Sequence, residues 1–273
     1  MTIKFTRHIL PLLSVYIVFT VSCSSKHKLF DRVSPEYSGI LFNNRIEEND
    51  TLNPLDITNI YNGGGIGIGD FNNDGLQDIY FTGNVVENKL YLNKGDFKFE
   101  DVTKEAGVTG DGKWCRGVSV VDINNDGWMD MYVCASMLKD AHKRENLLYI
   151  NLGVNTRGIP QFKEMAAEYG LNDSTHSTMA AFFDYDNDGD LDLFLSNGNP
   201  DDLIQIYHRD VSYQEPPLLF HGSGNRLRDV SAESGPIFAK PLSARGLATG
   251  DFDNDGAVDV LISMNDGAPL LLR

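Results

Sequence analysis

The sequence predicts an all-β protein in which one four-stranded unit is repeated. A nine-residue acidic motif occurs four times, with successive starts 52, 62 and 67 residues apart. Each copy follows a run of small or apolar residues and is followed by short apolar segments that are typical of strands. The 26 Gly, 15 Phe and 11 Tyr suit many short strands joined by tight turns. A four-stranded unit repeated at this spacing is the signature of a β-propeller blade.

The motif reads Asp-x-Asp/Asn-x-Asp-Gly-x-x-Asp, and its most acidic copy spans residues 184–192. Carboxylates this close repel one another unless a cation lies between them. Side chains at positions one, three, five and nine can point inward, position seven can offer its carbonyl, and glycine at position six permits a sharp turn. We therefore expect about four Ca²⁺ ions. The predicted ligands are Asp70, Asn72, Asp74, Leu76 and Asp78; Asp122, Asn124, Asp126, Trp128 and Asp130; Asp184, Asp186, Asp188, Asp190 and Asp192; and Asp251, Asp253, Asp255, Ala257 and Asp259.

Two other interpretations of the motif were weighed. An EF-hand loop requires Glu at position twelve, where this chain has Phe81, Val133, Leu195 and Ile262. An ordinary Asn/Asp-Gly hairpin turn explains one copy but not four copies that all keep Asp at position nine. A calcium loop inside a β-hairpin is the interpretation that we adopt.

The amino terminus predicts export. Lys4, Arg7 and His8 precede an apolar run at residues 9–21, which is short for a membrane span. The run ends before Cys23, as in bacterial lipoprotein signals whose cysteine is lipidated; an ordinary secretory signal is the alternative. We expect residues 1–23 to be the signal peptide, with Cys23 anchoring the protein to a membrane. The predicted location is therefore extracytoplasmic, on the bacterial outer membrane or cell surface, where weak calcium loops would be filled.

Residues 24–61 are expected to form a polar tether, one strand at residues 29–34 and an irregular surface loop at 43–60. Residues 62–273 form the predicted repeat domain. The fourth repeat ends after three strands, so the strand at 29–34 is predicted to complete it and close a four-bladed ring. The alternative is part of a larger propeller, and the abrupt end at Arg273 favours a chain that is a fragment.

The strand predictions follow one order in every repeat. The first strands are predicted at 64–69, 117–121, 179–183 and 246–250, and the second strands at 79–81, 131–133, 193–195 and 260–262. The third are predicted at 89–93, 147–151, 218–221 and 269–272, and the fourth at 99–103, 162–165 and 227–231. Folding the second hairpin symmetrically about Asp126 would bring Cys134 opposite Val118. Cys115 and Cys134 would then lie on opposite faces, which predicts two small buried side chains and no disulfide.

The net charge of −16 argues against nucleic acid and against anionic membrane surfaces as partners. The six His residues include no His-Glu-x-x-His pair, and no Gly-x-Ser-x-Gly elbow occurs. We therefore expect that this protein is not an enzyme. A calcium-dependent polysaccharide-active enzyme, or an accessory subunit of a glycan-uptake system, is kept as the alternative.

The four motifs, each between apolar strands, resemble the FG-GAP/VCBS repeats of integrin α-subunit propellers. The pattern over residues 28–273 also resembles bacterial relatives of the cartilage acidic protein (ASPIC/UnbV) family, most clearly in 62–84, 177–197 and 212–220. That family usually carries a further carboxy-terminal domain, which this sequence lacks. The resemblance implies a calcium-binding, extracytoplasmic propeller that acts in adhesion or ligand binding.

The partner is expected to be a protein or glycan that binds at a loop face of the propeller. The longest insertion, residues 198–217, contains Tyr207, His208, Arg209 and Tyr213. Aromatic and arginine side chains are frequent binding anchors, so this insertion is the candidate contact region. Packing of the insertion against its own blade is an equally favoured interpretation.

Overall fold

The computed structural model describes residues 30–50, 52–55, 57, 60–199, 201–207, 212–265 and 267–273. The chain divides into two compact units, Met1–Val33 and Ser34–Arg273. Of the first unit only residues 30–33 are described, and they lie in no helix or strand. The predicted signal peptide and Cys23 fall outside the described residues. No helix in the described part of the chain is long and apolar enough to cross a membrane.

The second unit contains four antiparallel sheets arranged as the blades of a four-bladed β-propeller, as the repeat predicts. Within each blade the strands pair in chain order. The first blade is β1 (Ile66–Gly69), β2 (Asp78–Phe81), β3 (Lys89–Asn93) and β4 (Phe99–Asp101), and the second is β5 (Cys115–Val121), β6 (Asp130–Ala135), β7 (Leu147–Val154) and β8 (Pro160–Glu164). The third is β9 (Ser177–Phe183), β10 (Asp192–Asn197), β11 (Leu218–Ser223) and β12 (Arg226–Asp229), and the fourth is β13 (Ala244–Gly250), β14 (Asp259–Met264) and β15 (Leu270–Leu272).

The helical segments are short. They are α1 (Pro35–Ser38), α2 (Thr103–Ala106), α3 (Ala166–Tyr169), α4 (Ile204–Tyr207) and three 3-10 turns at Ala141–Lys143, Ser231–Glu233 and Pro236–Ala239. Helices α2 and α3 follow the fourth strands of their blades, and each ends at a glycine with positive φ, Gly107 and Gly170. A glycine in the left-handed conformation ends a helix without steric strain.

The predicted strand at residues 29–34 is wrong over its described part. Residues 30–34 form no strand, and the fourth blade has three strands in the described chain. Phe30 is 92% exposed. Pro35 begins α1 instead, and Ser34 caps that helix by accepting a hydrogen bond from the backbone N–H of Tyr37. A strand needs a partner to satisfy its backbone groups, whereas a capped helical turn satisfies them locally.

The blades pack face to face through three clusters of buried apolar side chains. Alternation along β6 divides its side chains between two clusters: Met131 and Val133 face the first blade, whereas Tyr132 and Cys134 face the third. All six residues of β6 are therefore buried. A third cluster joins Phe194 of the third blade to the fourth blade.

The first strands of successive blades contact one another, β1 with β5, β5 with β9, and β9 with β13, so they are the innermost strands of the propeller. Within the described residues no contact of comparable extent joins β13 to β1. The face of β1 turned away from the second blade accordingly exposes Ile66 and Ile68 by 60% and 59%. The segment after α1 covers part of this face, where Phe42 stacks on Phe81 with ring centroids 5.0 Å apart.

Glycine allows the innermost strands to approach closely. A Cβ atom on Gly65 would lie 2.5 Å from the carbonyl oxygen of Arg116, and one on Gly117 would lie 2.7 Å from that of Thr178. Both distances are shorter than van der Waals contact, so these two glycines set the separation between blades one and two and between blades two and three.

The two described cysteines are free and buried, which confirms that they form no disulfide. The expected register is wrong by one residue, because Val118 pairs with Val133 and not with Cys134. The turn pairs Val121 with Asp130, which centres the hairpin between residues 125 and 126. A bulge between Cys115 and Val118 shifts the pairing again near the open end of the hairpin.

Candidate functional site

The four acidic motifs lie where predicted, between the first and second strand of each blade, and they share one backbone conformation. The asparagine at position four has φ between 54° and 60°, and the glycine at position six has φ between 85° and 94°. Asparagine and glycine tolerate this left-handed region better than other residues do. These residue types therefore explain why the chain can curl into a small loop four times.

The aspartate at position one closes each loop. Its carboxylate accepts hydrogen bonds from the backbone N–H groups of positions five and six. In the first loop Asp70 accepts from Asp74 at 3.1 Å and from Gly75 at 2.8 Å. Asp122, Asp184 and Asp251 make the same pair of bonds at 2.8–3.1 Å. The loop is therefore preformed by its own carboxylate.

The aspartate at position nine is buried in all four loops: Asp78, Asp130, Asp192 and Asp259. It accepts a hydrogen bond from the backbone N–H of position two, at 2.8–3.1 Å. In the first three blades its second oxygen accepts from the third strand, from Asn93, Asn151 and Gly222 at 2.7–2.8 Å. This aspartate thus ties the loop to the centre of its blade.

Burial of the position-nine carboxyls makes their charge costly. Desolvation raises the pKa of Asp78 to about 6 and that of Asp130 to about 7, and repulsion from the carboxylates at positions one and five adds to the effect. Desolvation also raises the pKa of Asp192. A cation bound beside these carboxyls would oppose both effects, because an opposite charge favours the ionised form.

Carboxylate oxygens lie close together in the third and fourth loops. Carboxylate oxygens of Asp184, Asp186 and Asp192 lie within 4.8 Å of one another, as do those of Asp251, Asp253 and Asp255. In the first two loops position three is asparagine, whose side-chain nitrogen donates to the position-five carboxylate at 2.9 Å in both cases. The donor set is oxygen throughout these four motifs, which fits a hard divalent cation such as calcium.

Position seven was predicted to act through its backbone, whereas the other predicted ligand positions act through side-chain oxygens. Its backbone N–H donates to the position-five carboxylate at 2.8–2.9 Å in all four loops, at Leu76, Trp128, Asp190 and Ala257. The side chain of Asp190 accepts from the backbone N–H of Gly224 at 3.0 Å and so is engaged by the β11–β12 turn. The backbone of position seven therefore takes part in the loop through its N–H, and the role of its carbonyl as a metal ligand stays a prediction.

Two basic side chains reach the acidic loops and were not foreseen from the sequence. His221 on β11 places Nδ1 3.2 Å from Asp192 and 3.5 Å from Asp186. Arg273 lies 3.2 Å from Asp253 and 3.4 Å from Asp255. Strand register could have indicated His221, because the equivalent residues in the first two blades are the buried Leu92 and Ile150. Both bases occur at the loops with the most carboxylates, where negative charge most needs a counter-charge.

The described ends of the 198–217 insertion pack against the protein. The Asn197 side chain donates to the carbonyl of Pro216 at 3.1 Å, and Asn199 donates to the carbonyl of Tyr213 at 3.0 Å. Glu215 forms an isolated β-bridge with Leu242 ahead of the fourth blade. His208 and Arg209 of the candidate contact region fall outside the described residues.

Comparison with known proteins agrees with this architecture. Residues 47–133 match the FG-GAP-like repeat family. Cartilage acidic protein 1 of Xenopus tropicalis is 29% identical over 212 residues, which cover 75% of this chain and 29% of that protein. The human protein of the same name is 28% identical over 216 residues, which cover 74% of this chain and 28% of that protein. This chain thus spans less than a third of the relatives that it matches. Residues 47–133 thus carry an FG-GAP-like repeat, and most of the chain is similar to the cartilage acidic proteins.

Proposed function

We propose that this chain is an extracytoplasmic, calcium-binding propeller that acts as an adhesion or ligand-binding module and not as an enzyme. Its partner would be a protein or a glycan, bound at a loop face of the propeller. The FG-GAP propeller fold supports a binding role. Export and attachment to a membrane through Cys23 remain part of the proposal because of the lipoprotein-like signal.

The observation that carries the calcium proposal is the repetition of one preformed loop in four blades. In each loop the carboxylates of positions one and nine are held by backbone N–H groups, so little ordering is required when a cation binds. Side-chain oxygens of positions one, three, five and nine, with the carbonyl of position seven, would hold the ion. Calcium would supply positive charge among these carboxylates.

The role of the ion in this proposal is structural. The aspartate at position nine accepts a hydrogen bond from the third strand in the first three blades. A cation bound to this aspartate would therefore link the hairpin tip to the centre of the sheet. A ligand that binds only the folded state stabilises it by about 2.7 kcal/mol per site at a hundredfold excess over Kd. Four such sites would make the stability of the propeller depend on external calcium.

Calorimetric melting in calcium and in chelator tests this role. Calcium should raise the melting temperature by many degrees, and a melt that is the same in both solutions would refute it. Mg²⁺ at equal concentration is the control, because it accepts this flexible oxygen geometry less readily.

Attachment and partner binding need separate experiments. Cys23→Ser should release the protein from membranes, and a variant that remains bound would contradict the lipid anchor. Capture of surface proteins and of immobilised glycans should require calcium. Equal capture by calcium-loaded protein and by protein unfolded in chelator would contradict a binding surface built by the propeller.

A further inference from the structure

Two arginines occupy equivalent positions on innermost strands. Cys115 pairs with Ala135 and Ala244 pairs with Met264, so the residues that follow, Arg116 and Arg245, are equivalent in blades two and four. In an antiparallel hairpin the start of the first strand lies at the end opposite the connecting loop. Both arginines therefore lie at the end of the blades opposite the acidic loops, which we call the arginine end.

Neither arginine has a carboxylate partner among the described residues. Arg245 donates to the carbonyl oxygens of Gly198, Asn199 and Ala244 at 2.7–3.3 Å, and its guanidinium lies 5.7 Å from the ring centroid of Tyr213. In Arg116 the Nη1 atom is buried and has no hydrogen-bond partner. Both arginines are half-buried, so only the Nη1 group of Arg116 is withdrawn from solvent without an acceptor, and an anion bound there would satisfy it.

The positive charge of Arg245 acts on Arg116. Burial, together with that charge, lowers the pKa of Arg116 to about 10. The positive charges of Arg144 and Arg116 likewise help burial to lower the pKa of His176, to about 4. Positive charges of Arg116, Arg144 and Arg245 therefore act at the arginine end.

Other unpaired polar atoms lie at the same end. In the described residues the buried side-chain nitrogen and oxygen atoms without a partner are four: Arg116 Nη1, Trp114 Nε1, Ser136 Oγ and Asn197 Oδ1. Trp114 precedes β5, Ser136 follows β6, and Asn197 ends β10. Unpaired buried polar atoms are rare in folded proteins. Those of Arg116, Trp114 and Ser136 can donate a hydrogen bond to an anion, whereas Asn197 Oδ1 can only accept one.

The carboxyls of Asp173, Glu215 and Asp201 at this end are already engaged. Asp201, which is buried, accepts a hydrogen bond from the backbone N–H of Leu203 at 2.9 Å. Asp173 accepts hydrogen bonds from Thr175, through its backbone N–H and its hydroxyl, and from the Ser177 hydroxyl. Glu215 accepts from the backbone N–H of His176 at 2.8 Å. None of the three forms an ion pair with Arg116 or Arg245 in the described chain, so the guanidinium groups are left to pair with an anion from a ligand.

We propose that the arginine end binds a carboxylate group of a ligand, held by Arg116 and Arg245. This inference rests on the proposed ligand-binding function and names the chemical class of its ligand. The planar guanidinium presents parallel N–H donors that match the two oxygens of a carboxylate. The unpaired indole N–H of Trp114 and the hydroxyl of Ser136 would be further donors. The carboxylate can belong to an acidic sugar or to an acidic amino acid.

To test this inference, the full, calcium-loaded chain is titrated with sodium glucuronate and with sodium N-acetylaspartate. Glucose, and sodium chloride at matched ionic strength, are the controls. Binding is followed by calorimetry and by the NMR signals of the two indole N–H groups. Trp114 lies at the arginine end, whereas Trp128 lies in the second acidic loop and serves as the internal reference. The tighter-binding carboxylate identifies the source of the ligand.

The variant is Arg116→Thr, because threonine occupies the equivalent position of the third blade at Thr178. It should weaken carboxylate binding at least tenfold. Arg228→Thr is the matched control, since Arg228 is an exposed arginine paired with Glu233; its loss should leave binding unchanged. If Arg116→Thr fails to fold, Arg116→Lys keeps the charge but loses the planar fork, and it should also bind more weakly.

Three results would overturn the inference: no binding of either carboxylate, equal binding by Arg116→Thr or Arg116→Lys and the wild type, or a Trp128 signal that shifts while that of Trp114 does not. Glucose or chloride binding as tightly as the carboxylates would overturn it as well. A protein that still captures surface partners in calcium but binds neither carboxylate would keep the proposed function and lose this inference.

Discussion

Asp130 accepts a hydrogen bond 2.7 Å long from the backbone N–H of Asn151, a residue on a different strand. Its other oxygen accepts from Ile123 at 3.1 Å. The carboxyl is fully buried, and so are both N–H groups that it satisfies. A residue that the sequence identifies as a metal ligand is therefore also the link between hairpin tip and central strand.

Asp130→Ala should destabilise the protein even without calcium. The substitution leaves two buried N–H groups unpaired, and each costs about 1–3 kcal/mol. We expect urea unfolding in chelator to show a loss of roughly 2–4 kcal/mol. Asp126→Ala, in the exposed part of the same loop, should cost less than about 1 kcal/mol in chelator. A loss for Asp130→Ala no larger than that for Asp126→Ala would contradict the stabilising role of its two hydrogen bonds.

Asp186→Asn should weaken calcium binding at the third loop by about tenfold, because the affinity of such loops depends on the number of charged ligands. The variant reproduces the asparagine found at position three of the first two loops, Asn72 and Asn124, so the loop conformation should be kept. The reverse substitution in the first loop, Asn72→Asp, should strengthen calcium binding there. Calcium titration by calorimetry measures both, and two unchanged isotherms would argue against calcium at these positions.

Gly117→Ala should separate the second and third blades. The added Cβ would meet the Thr178 carbonyl oxygen at 2.7 Å, and backbone atoms cannot rotate away as a side chain can. Overpacking of this kind costs about 1–3 kcal/mol. Gly63→Ala is the control, since nothing lies within 4 Å of its added Cβ, and it should change stability by less than about 0.5 kcal/mol. Similar unfolding curves for the two variants would show that the blades adjust freely.

Because of Glu215, the free energy of unfolding should fall as pH rises from 4.5 to about 7. Burial, aided by repulsion from Asp173, raises the pKa of Glu215 to about 7, although its bond to His176 and the charge of Arg144 oppose the shift. The folded state then holds the proton more tightly than the unfolded chain does. The stability gained is fully present below the unfolded pKa of 4.5 and is lost as pH rises through about 7.

Glu215→Gln removes this dependence, because an amide does not titrate and its oxygen still accepts the His176 N–H bond. The stability of the wild type relative to this variant should therefore fall between pH 4.5 and 7, by on the order of 2 kcal/mol. Burial lowers the pKa of His176 from 6.5 to about 4, so this residue makes stability rise with pH over much of the same range. Because the effect is present in both proteins, it cancels in the comparison. Unfolding at several pH values measures the difference, and parallel profiles would contradict the prediction.

Local sequence by itself determined the repeated unit. The turn-forming Asn and Gly at positions four and six, and apolar residues on either side, locate the hairpins and most strands to within a few residues, since these depend on neighbours in the chain. The same pattern identified the position-one aspartates that close the loops. It also misassigned residues 30–34, the described part of the predicted strand, because an apolar pattern does not reveal whether a pairing partner is within reach.

Tertiary structure decided which distant residues meet. The partner of Asp130 on β7, the reach of His221 into the third loop, and the equivalent positions of Arg116 and Arg245 all depend on strand register and on the packing of whole blades. These contacts join residues far apart in the chain, and a shift of one residue would turn each side chain to the other face of its sheet. Short-range pattern therefore specifies the loops, whereas burial and register specify what the loops and arginines can bind.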